Sequence, residues 1–575
     1  MKNKTLLIII SIIILLIIWP LLKMGYIFSL DQVLSPNWWT PSVWSNIFWV
    51  AILSQVFSFL HIPVWILEKI LIVVTFVLPS LWIFLLLKDK NDKKRNIWIL
   101  FAVLLLICNP FLYARFLDGQ INIYLSYSLY PLFFYFIKNV LEKYTHKRVT
   151  IVWLWSLLLC LTSIHNAVFI FFIGVIFSLF YIKWIGIKKI WTIAMSLILC
   201  NTLWVIPFFF FKHDKFELSK QIDNFWIENQ EAFKTQWTKT SIYGNTLSLH
   251  WYWWESQKRF VTTSSVNDKY KRLFFVLFLI VLIWIYARIR AKKFWSFEQS
   301  LLAFAILSYI LSLWVSWNNF FSPISSFLYE YFPMYKWLRE PQKWIIFLVI
   351  FYAYFGAFWI IFIKEKLSKI PLDIYTRNIV LYCIIFVPVF YSFQTLWWFS
   401  GQVSIHQYPE KWAEVKNILT QKSSIKNTDT CLYLLEKKSN KCYESLSLPW
   451  HSYIHVKFTQ KVVWWWIVRY FWDNIMIADN LEYAGIYSQS TRPESKIIEK
   501  YIWPWGYFKD TENIEGKFYE EFITDLQWLW IKNILFLKEA DYKWYKEFLD
   551  KLEEESLINI TKENDMIILY KVSSN

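Results

Sequence analysis

Apolar runs of membrane-spanning length recur through the first 399 residues, and they constrain the fold of this chain more than any other feature. The first is Leu6–Leu22. Later ones fall at 62–87, 97–113, 122–138, 150–163, 167–182, 191–211, 272–287, 298–316, 344–363 and 378–399. A bilayer core takes about 20 apolar residues per helix, and backbone in lipid must satisfy its own hydrogen bonds, so each run reads as a helix. The expected fold is an α-helical polytopic membrane protein of about eleven transmembrane helices. Lys2 and Lys4 precede the first run, which is long and lacks a small-residue cleavage site, so it reads as a retained span. The two short runs flanking His165 could instead be one long tilted helix.

Basic residues sort the loops. One alternate set carries Lys88, Lys90, Lys93, Lys94 and Arg95, then Lys138, Lys143, Lys147 and Arg148, then Lys183, Lys188 and Lys189. Arg288, Arg290, Lys292 and Lys293 follow, and Lys364, Lys366, Lys369 and Arg377 complete the set. This positive-inside pattern predicts an integral plasma (inner) membrane protein with a cytoplasmic N-terminus and an extracytoplasmic tail. The net charge of +17 resides in the membrane portion, because residues from Ser400 onward hold 22 Lys and Arg against 25 Asp and Glu. Charge confined to short loops between spans argues against nucleic acid as a partner. The outer face then holds loops 23–61, 212–271 and 317–343 and the short Arg115–Gln120 turn. Trp44–Leu60, within the first loop, reads as an amphipathic helix lying in the interface.

The division expected is a membrane domain over 1–399 and a soluble non-cytoplasmic α/β domain over 400–575. In the latter, Glu410–Leu419, Phe518–Leu529 and Asp541–Leu552 read as helices, and Cys431–Leu435, Ile531–Lys538 and Met566–Val572 as strands. Cys431 and Cys442 bracket a possible hairpin outside the membrane, where they could pair as a disulfide. No CxxC, HExxH, Walker A loop or dinucleotide fingerprint occurs, which argues against ATP or NAD chemistry.

Glycine occurs only 10 times and tryptophan 38 times. Ordinary usage would give roughly 40 glycines in a chain this long. Some lineages read UGA as glycine, and translating such a gene with UGA as tryptophan would make this exchange. Gln527–Ile531 reads QWLWI where glycines would make natural turn chemistry, and Trp464–Trp466 is a triple indole in a soluble region. Tryptophans also fall mid-span, at Trp155 and Trp204, where an interfacial aromatic belt does not account for them. If the exchange is real, the affected positions should show positive φ or crowded, exposed rings.

Polar residues interrupt the apolar pattern most sharply at Asn109–Pro131, where Arg115, Asp118, Gly119 and Gln120 separate two spans. Ionisable groups at such depth are costly to desolvate and mark a functional site, although an ion pair that merely ends two helices would also explain them. Gly25–Asp31 (GYIFSLD) follows the first span, and Pro333–Lys343 (PMYKWLREPQK) precedes the 344–363 run.

Together with LPWH at Leu448–His451 and DNLEYAGIYSQS at Asp479–Ser490, these segments resemble YfhO-type and arabinofuranosyltransferase-like proteins of the GT-C glycosyltransferase superfamily. The resemblance implies an active site at the outer membrane face, where a sugar passes from a polyprenyl-phosphate donor to a cell-envelope glycan or lipid acceptor. It also implies that Asp31, the acidic residue of the first outer loop, is the catalytic general base. Departing phosphate gains charge, and Arg115, Arg339 and Lys343 are the cations on that face to meet it. With Asp118, Gln120 and Glu340 they form the expected lipid-phosphate and donor-binding set. Many members carry paired acidic residues in the first loop, whereas Asp31 stands alone. Asp118 or Glu340 could supply the second carboxylate, and a divalent metal ion is a possible cofactor whose ligands are not evident.

Bland roles compete at each position. Asp31 could cap the interfacial helix, Arg339 and Glu340 could pair locally, and Lys343 could snorkel from its span. His165 and His451 are possible accessory residues that ordinary hydrogen bonding also explains. Two other functions remain: a non-catalytic membrane scaffold or binding protein, and a lipid or glycan transporter. The span centres are nearly free of charge and show no internal repeat, which speaks against transport.

Overall fold

The computed structural model describes residues 3–34, 48–87, 96–163, 165–210, 242–250, 296–313, 322–331, 341–422, 443–451, 453–471, 475–478, 493–501, 516–540 and 543–573, with isolated positions between 261 and 290. Nine helices open the described chain: α1 (Asn3–Ile18), α2 (Phe48–Phe59), α3 (Val64–Leu87), α4 (Asn96–Ile107), α5 (Pro110–Leu117), α6 (Ile121–Glu142), α7 (His146–Thr162), α8 (His165–Ile185) and α9 (Ile187–Phe210). Ser296–Ser312, Ser322–Tyr331, Ile345–Leu367 and Ile374–Ile385 are helices further on.

Among the described residues, five segments are long and apolar enough to cross a membrane: Lys4–Leu22, Val64–Leu87, Trp98–Leu117, His165–Ile182 and Gln342–Leu367. The chain is therefore a mostly helical integral membrane protein. Shorter or less apolar helices occupy the other predicted runs, except 272–287, most of which lies outside the described residues. The two runs at His165 are separate helices, because Ser163 is extended (φ −160°) and ends α7.

Two breaks inside predicted spans shape the molecule. The first is at Asn109, whose Oδ1 accepts from Leu112 N at 2.9 Å while its Nδ2 donates to the Leu105 and Leu106 carbonyls at 3.0 Å. One side chain thus closes the carbonyl end of α4 and opens α5, and Pro110 takes the first-turn position where a missing N–H costs nothing. The second is in 378–399, predicted as one span. Helix Ile374–Ile385 gives way to a short turn at Val387–Tyr391, and Trp397–Ser400 then follow a left-handed path with φ of +45° to +60°. Phe399, in that turn, stacks on Phe116 of α5 with ring centroids 4.3 Å apart.

After the last helix the chain turns back. β1 (Tyr26–Ile27) pairs antiparallel with β2 (Ile405–His406), which ties the end of α1 to the start of the tail. Gly25 permits this approach, since a Cβ there would lie 2.8 Å from the His406 carbonyl oxygen. The tail carries a five-stranded mixed sheet with the order β6 (Ile475–Met476), β3 (Ser445–Leu448), β7 (Asn533–Leu537), β9 (Ile567–Val572), β8 (Ile558–Glu563). β6, β3 and β7 are parallel, β9 runs antiparallel between β7 and β8, and a separate hairpin joins β4 (Tyr453–Val456) to β5 (Lys461–Trp464). Helices Gly516–Trp528 and Lys543–Glu554 bury Phe522, Leu526, Phe548 and Leu549 with the sheet residues Leu446, Ile534 and Ile568. The alternate residues Leu535, Leu537, Ile567 and Leu569 join the apolar cluster that continues into the membrane helices. The period of two along the strands thus gives one sheet face to each cluster.

Helix Gly516–Trp528 ends in a Schellman motif. Ile531 N donates to Leu526 O at 2.9 Å and Trp530 N to Gln527 O at 3.0 Å, with Trp530 at φ +63°. That left-handed position is the one glycine usually takes. Trp528 and Trp530 are both more than half exposed.

Candidate active site

The first loop and the Asp118–Gln120 turn, more than eighty residues apart in sequence, are pressed together without a gap. Asp31 N donates to the Asp118 carbonyl at 2.7 Å. Gly119 has φ +76°, and a Cβ on it would lie 2.3 Å from Ser29 Oγ and 2.5 Å from Gln32 N. Only glycine fits there, on backbone angle and on space alike. Asp31 is half-buried and Asp118 fully buried. Arg115, 1% exposed, reaches from α5 to Gln120, with Nη1 2.6 Å from Oε1, and its guanidinium lies over the Phe111 ring. The structure thus brings Asp31, Arg115, Asp118 and Gln120 into one cluster.

Beneath that cluster lies a pair that the sequence reading missed. Glu68, 1% exposed, accepts from Ile27 N at 2.8 Å through Oε2 and from Gln32 Nε2 at 2.6 Å through Oε1. Lys69 Nζ lies 3.6 Å from Oε2. Tyr124 of α6 donates to Gln32 Oε1 at 2.9 Å and completes the chain. Glu68 therefore grips the first loop on both sides of Asp31. The signal was present in the sequence as two ionisable residues inside the otherwise apolar Val64–Leu87 run.

Lys343 and His165 form a second group. Lys343 Nζ lies 3.0 Å from His165 Nε2, and His165 Nδ1 lies 2.8 Å from Ser163 Oγ, all three residues being buried. The neighbouring Asn166 accepts from Tyr130 and donates to Ser126, both on α6. The helix that carries Tyr124 to the first cluster thus also braces the second. His451 is buried at the carboxyl end of β3 in the tail. Arg339, Glu340, Cys431 and Cys442 lie outside the described residues.

The tail reaches this region through Gln402. It donates to Tyr113 of α5 at 2.5 Å, and its carbonyl accepts from Lys461 Nζ at 2.5 Å. Burial pushes the Lys461 ammonium down to about 8. His406 is also lowered, first by burial and then by the Lys461 charge, while burial raises Tyr26 and Tyr408 with the Glu68 charge adding to both. Among the described residues, no three His, Cys, Asp or Glu side chains converge as a metal would require. Asp31 and Asp118 offer two carboxylates, which do not by themselves make a metal site.

No family model matches this chain, and no curated protein matches it. Solved structures of similar shape are those of two archaeal oligosaccharyltransferase complexes from Archaeoglobus fulgidus and of ArnT from Cupriavidus metallidurans. The first archaeal structure is tethered with an acceptor peptide containing the NVT sequon, and this chain matches it at 11% identity and a TM-score of 0.49, covering 93% of this chain and 69% of that one. The second holds AglB with an inhibitory peptide and a dolichol-phosphate, at 10% identity and 0.44, covering 93% and 65%. ArnT bound to undecaprenyl phosphate aligns over 99% of this chain and 98% of its own, at 8% identity and 0.46.

Proposed function

We propose that this membrane protein is a GT-C-like glycosyltransferase that moves a sugar from a polyprenyl-phosphate donor to a cell-envelope acceptor, with Asp31 as general base. The observation that carries this reading is the locked contact between the first loop and the Asp118–Gly119 turn. It pins the backbone of half-buried Asp31 to the turn that follows the buried Arg115. Such preorganisation is costly in a fold and is what proton transfer at a defined position needs.

In the proposed step, the acceptor hydroxyl gives its proton to the Asp31 carboxylate while its oxygen attacks the anomeric carbon. The bond from that carbon to the donor phosphate breaks, and the polyprenyl phosphate leaves with the electron pair. Arg115 meets the charge that grows on the phosphate, and Lys69 and Lys343 are further buried basic residues. Asp118 and Gln120 orient Arg115 and the loop.

The test is transfer from a labelled polyprenyl-phosphate sugar by the purified full chain in lipid nanodiscs. Asp31→Asn should lower the rate by about 10²–10⁴-fold, the usual worth of a general base, while the protein stays folded. Full activity in Asp31→Asn would remove the assignment. The YfhO-type kinship is part of the same proposal, as are the outward-facing tail and an inner-membrane location.

We also infer that several of the written tryptophans are glycine in the natural protein. Trp530 at the left-handed position of a Schellman motif, and Trp397 and Trp398 at φ +50° and +45°, support this. Peptide mass spectrometry of protein from its own host checks it: the 528–530 peptide should be lighter by the tryptophan–glycine difference at each site. Peptides at the written mass would refute the exchange.

A further inference from the structure

The far end of α6 holds a feature that the transferase reading does not use. α6 has 22 residues, so its last turn lies about 33 Å from the Asp31 cluster, at the opposite end of the bundle. There a cavity of about 130 Å³ opens between α6 and α7, lined by Tyr135, Phe136, Asn139, Arg148 and Ile151. Arg148 is fixed in its wall. Its Nη1 donates to the Asn139 carbonyl at 2.6 Å and the Lys143 carbonyl at 3.1 Å, which cap the end of α6. Its Nε and Nη2 have no hydrogen-bond partner among the described residues, and neither does the Asn139 side-chain amide.

The surroundings are positive. Lys143 and Lys147 are exposed at the rim, and Lys189 lies over the Tyr144 ring nearby. The acidic group at this rim, Glu142, faces Lys138 at 4.0 Å. Two aromatic rings beside a fork of cationic donors at a helix end match the headgroup level of a bilayer, where acyl chain gives way to phosphate. A guanidinium with its remaining donors directed to one side suits a phosphate, which it binds through two oxygens.

We propose that this cavity holds the phosphate of an anionic phospholipid from the leaflet at the Arg148 end. Arg148 is its principal ligand, Asn139 a second donor, and the Tyr135 and Phe136 rings line the first part of the acyl chains. This site is separate from the donor site at the Asp31 end and does not depend on what that site does.

The test is native mass spectrometry of the full chain in nanodiscs made from phosphatidylglycerol and phosphatidylcholine in equal amounts. The wild type should retain phosphatidylglycerol in preference, and Arg148→Gln should lower that preference about fivefold, the effect of one basic residue near an anionic surface. Arg148→Lys, which keeps the charge but loses the two-pronged grip, should show a preference between those of the wild type and Arg148→Gln. Glycerol phosphate without acyl chains should not compete at millimolar concentration. The proposal is overturned by equal retention of the two lipids, by an unchanged preference in Arg148→Gln, or by competition from the soluble phosphate, which would make the ligand a soluble anion.

Discussion

Charge is used in opposite ways at the Asp31 cluster and in the tail. At the Asp31 end, Glu68, Lys69, Arg115 and Asp118 are all buried, and Glu68 spends both oxygens on the loop that carries Asp31. In the tail, Lys411–Asp565, Lys562–Glu414 and Lys543–Glu547 are ion pairs with exposed side chains. Desolvating a charge costs several kcal/mol, so a fold keeps one buried only where its geometry serves something, whereas an exposed pair costs and contributes little. The difference separates groups that define a site from groups that keep a surface soluble.

Removing Glu68 should break this contrast most severely. Glu68→Ala leaves the Ile27 N–H, the Gln32 amide and the Lys69 ammonium buried without their carboxylate. Breaking a buried pair this way costs about 3–5 kcal/mol. Thermal unfolding in detergent should show the loss, and transfer activity should fall with it. Glu68→Gln, which keeps an acceptor for one of the two loop donors, should recover part of both. Gly119→Ala comes next. It forces a side chain into the left-handed region and against Ser29 and Gln32, at about 1–3 kcal/mol. The loop should move off the turn, lowering activity more than stability. A Gly119→Ala protein with full activity would show that the lock is not needed.

Much of this site could be read from the sequence, and the residues show why the rest could not. Arg115, Asp118 and Gln120 stood out because they interrupt an apolar run, and the backbone of Asp31 meets that turn at the Asp118 carbonyl. Glu68 was hidden because its partners lie 36 and 41 residues earlier, in a loop whose path no local pattern encodes. The β1–β2 pairing joins residues 26 and 406 through two residues on each strand, too few for a periodic signal. Helices Gly516–Trp528 and Lys543–Glu554 and strands β7 and β9 fell close to their expected places, since each buries a regular face. β3 reads SLSL and is buried on both faces, so its serines disguised a central strand. The left-handed turn at Trp397–Ser400 was not legible, because its residues read as the end of the apolar 378–399 run.

Glu539 lies between the two kinds of charge and sharpens the comparison by pH. It is a buried carboxyl in the tail, pushed up to about 7 by burial, with the Asp565 charge adding and Lys457 opposing. Below about 4.5 it is protonated folded and unfolded alike. As pH rises from there to about 7, the unfolded chain releases its proton first, so folding stability falls, and it levels off above that range. Glu539→Gln has no proton to lose. The gap in unfolding midpoint between Glu539→Gln and the wild type should therefore widen in the variant's favour across that window. A gap independent of pH would show that the carboxyl ionises normally.

The smallest effect is expected at Lys411. Its ammonium is 2.5 Å from Asp565, and that contact holds the Asp565 carboxyl below its usual range. Both side chains are about half exposed or more, so water and salt replace the contact readily when it is removed. Lys411→Ala should leave the unfolding midpoint within replicate scatter at physiological ionic strength, with at most a small loss that disappears as salt is added. Raising the salt should leave the Glu68→Ala deficit unchanged, because screening ions do not reach the buried Lys69 and Gln32 groups that the variant leaves without their carboxylate. If Lys411→Ala proved as damaging as Glu68→Ala, or if salt rescued Glu68→Ala, burial would not be what separates the two regions. The Asp31 cluster would then lose its claim to be a built site.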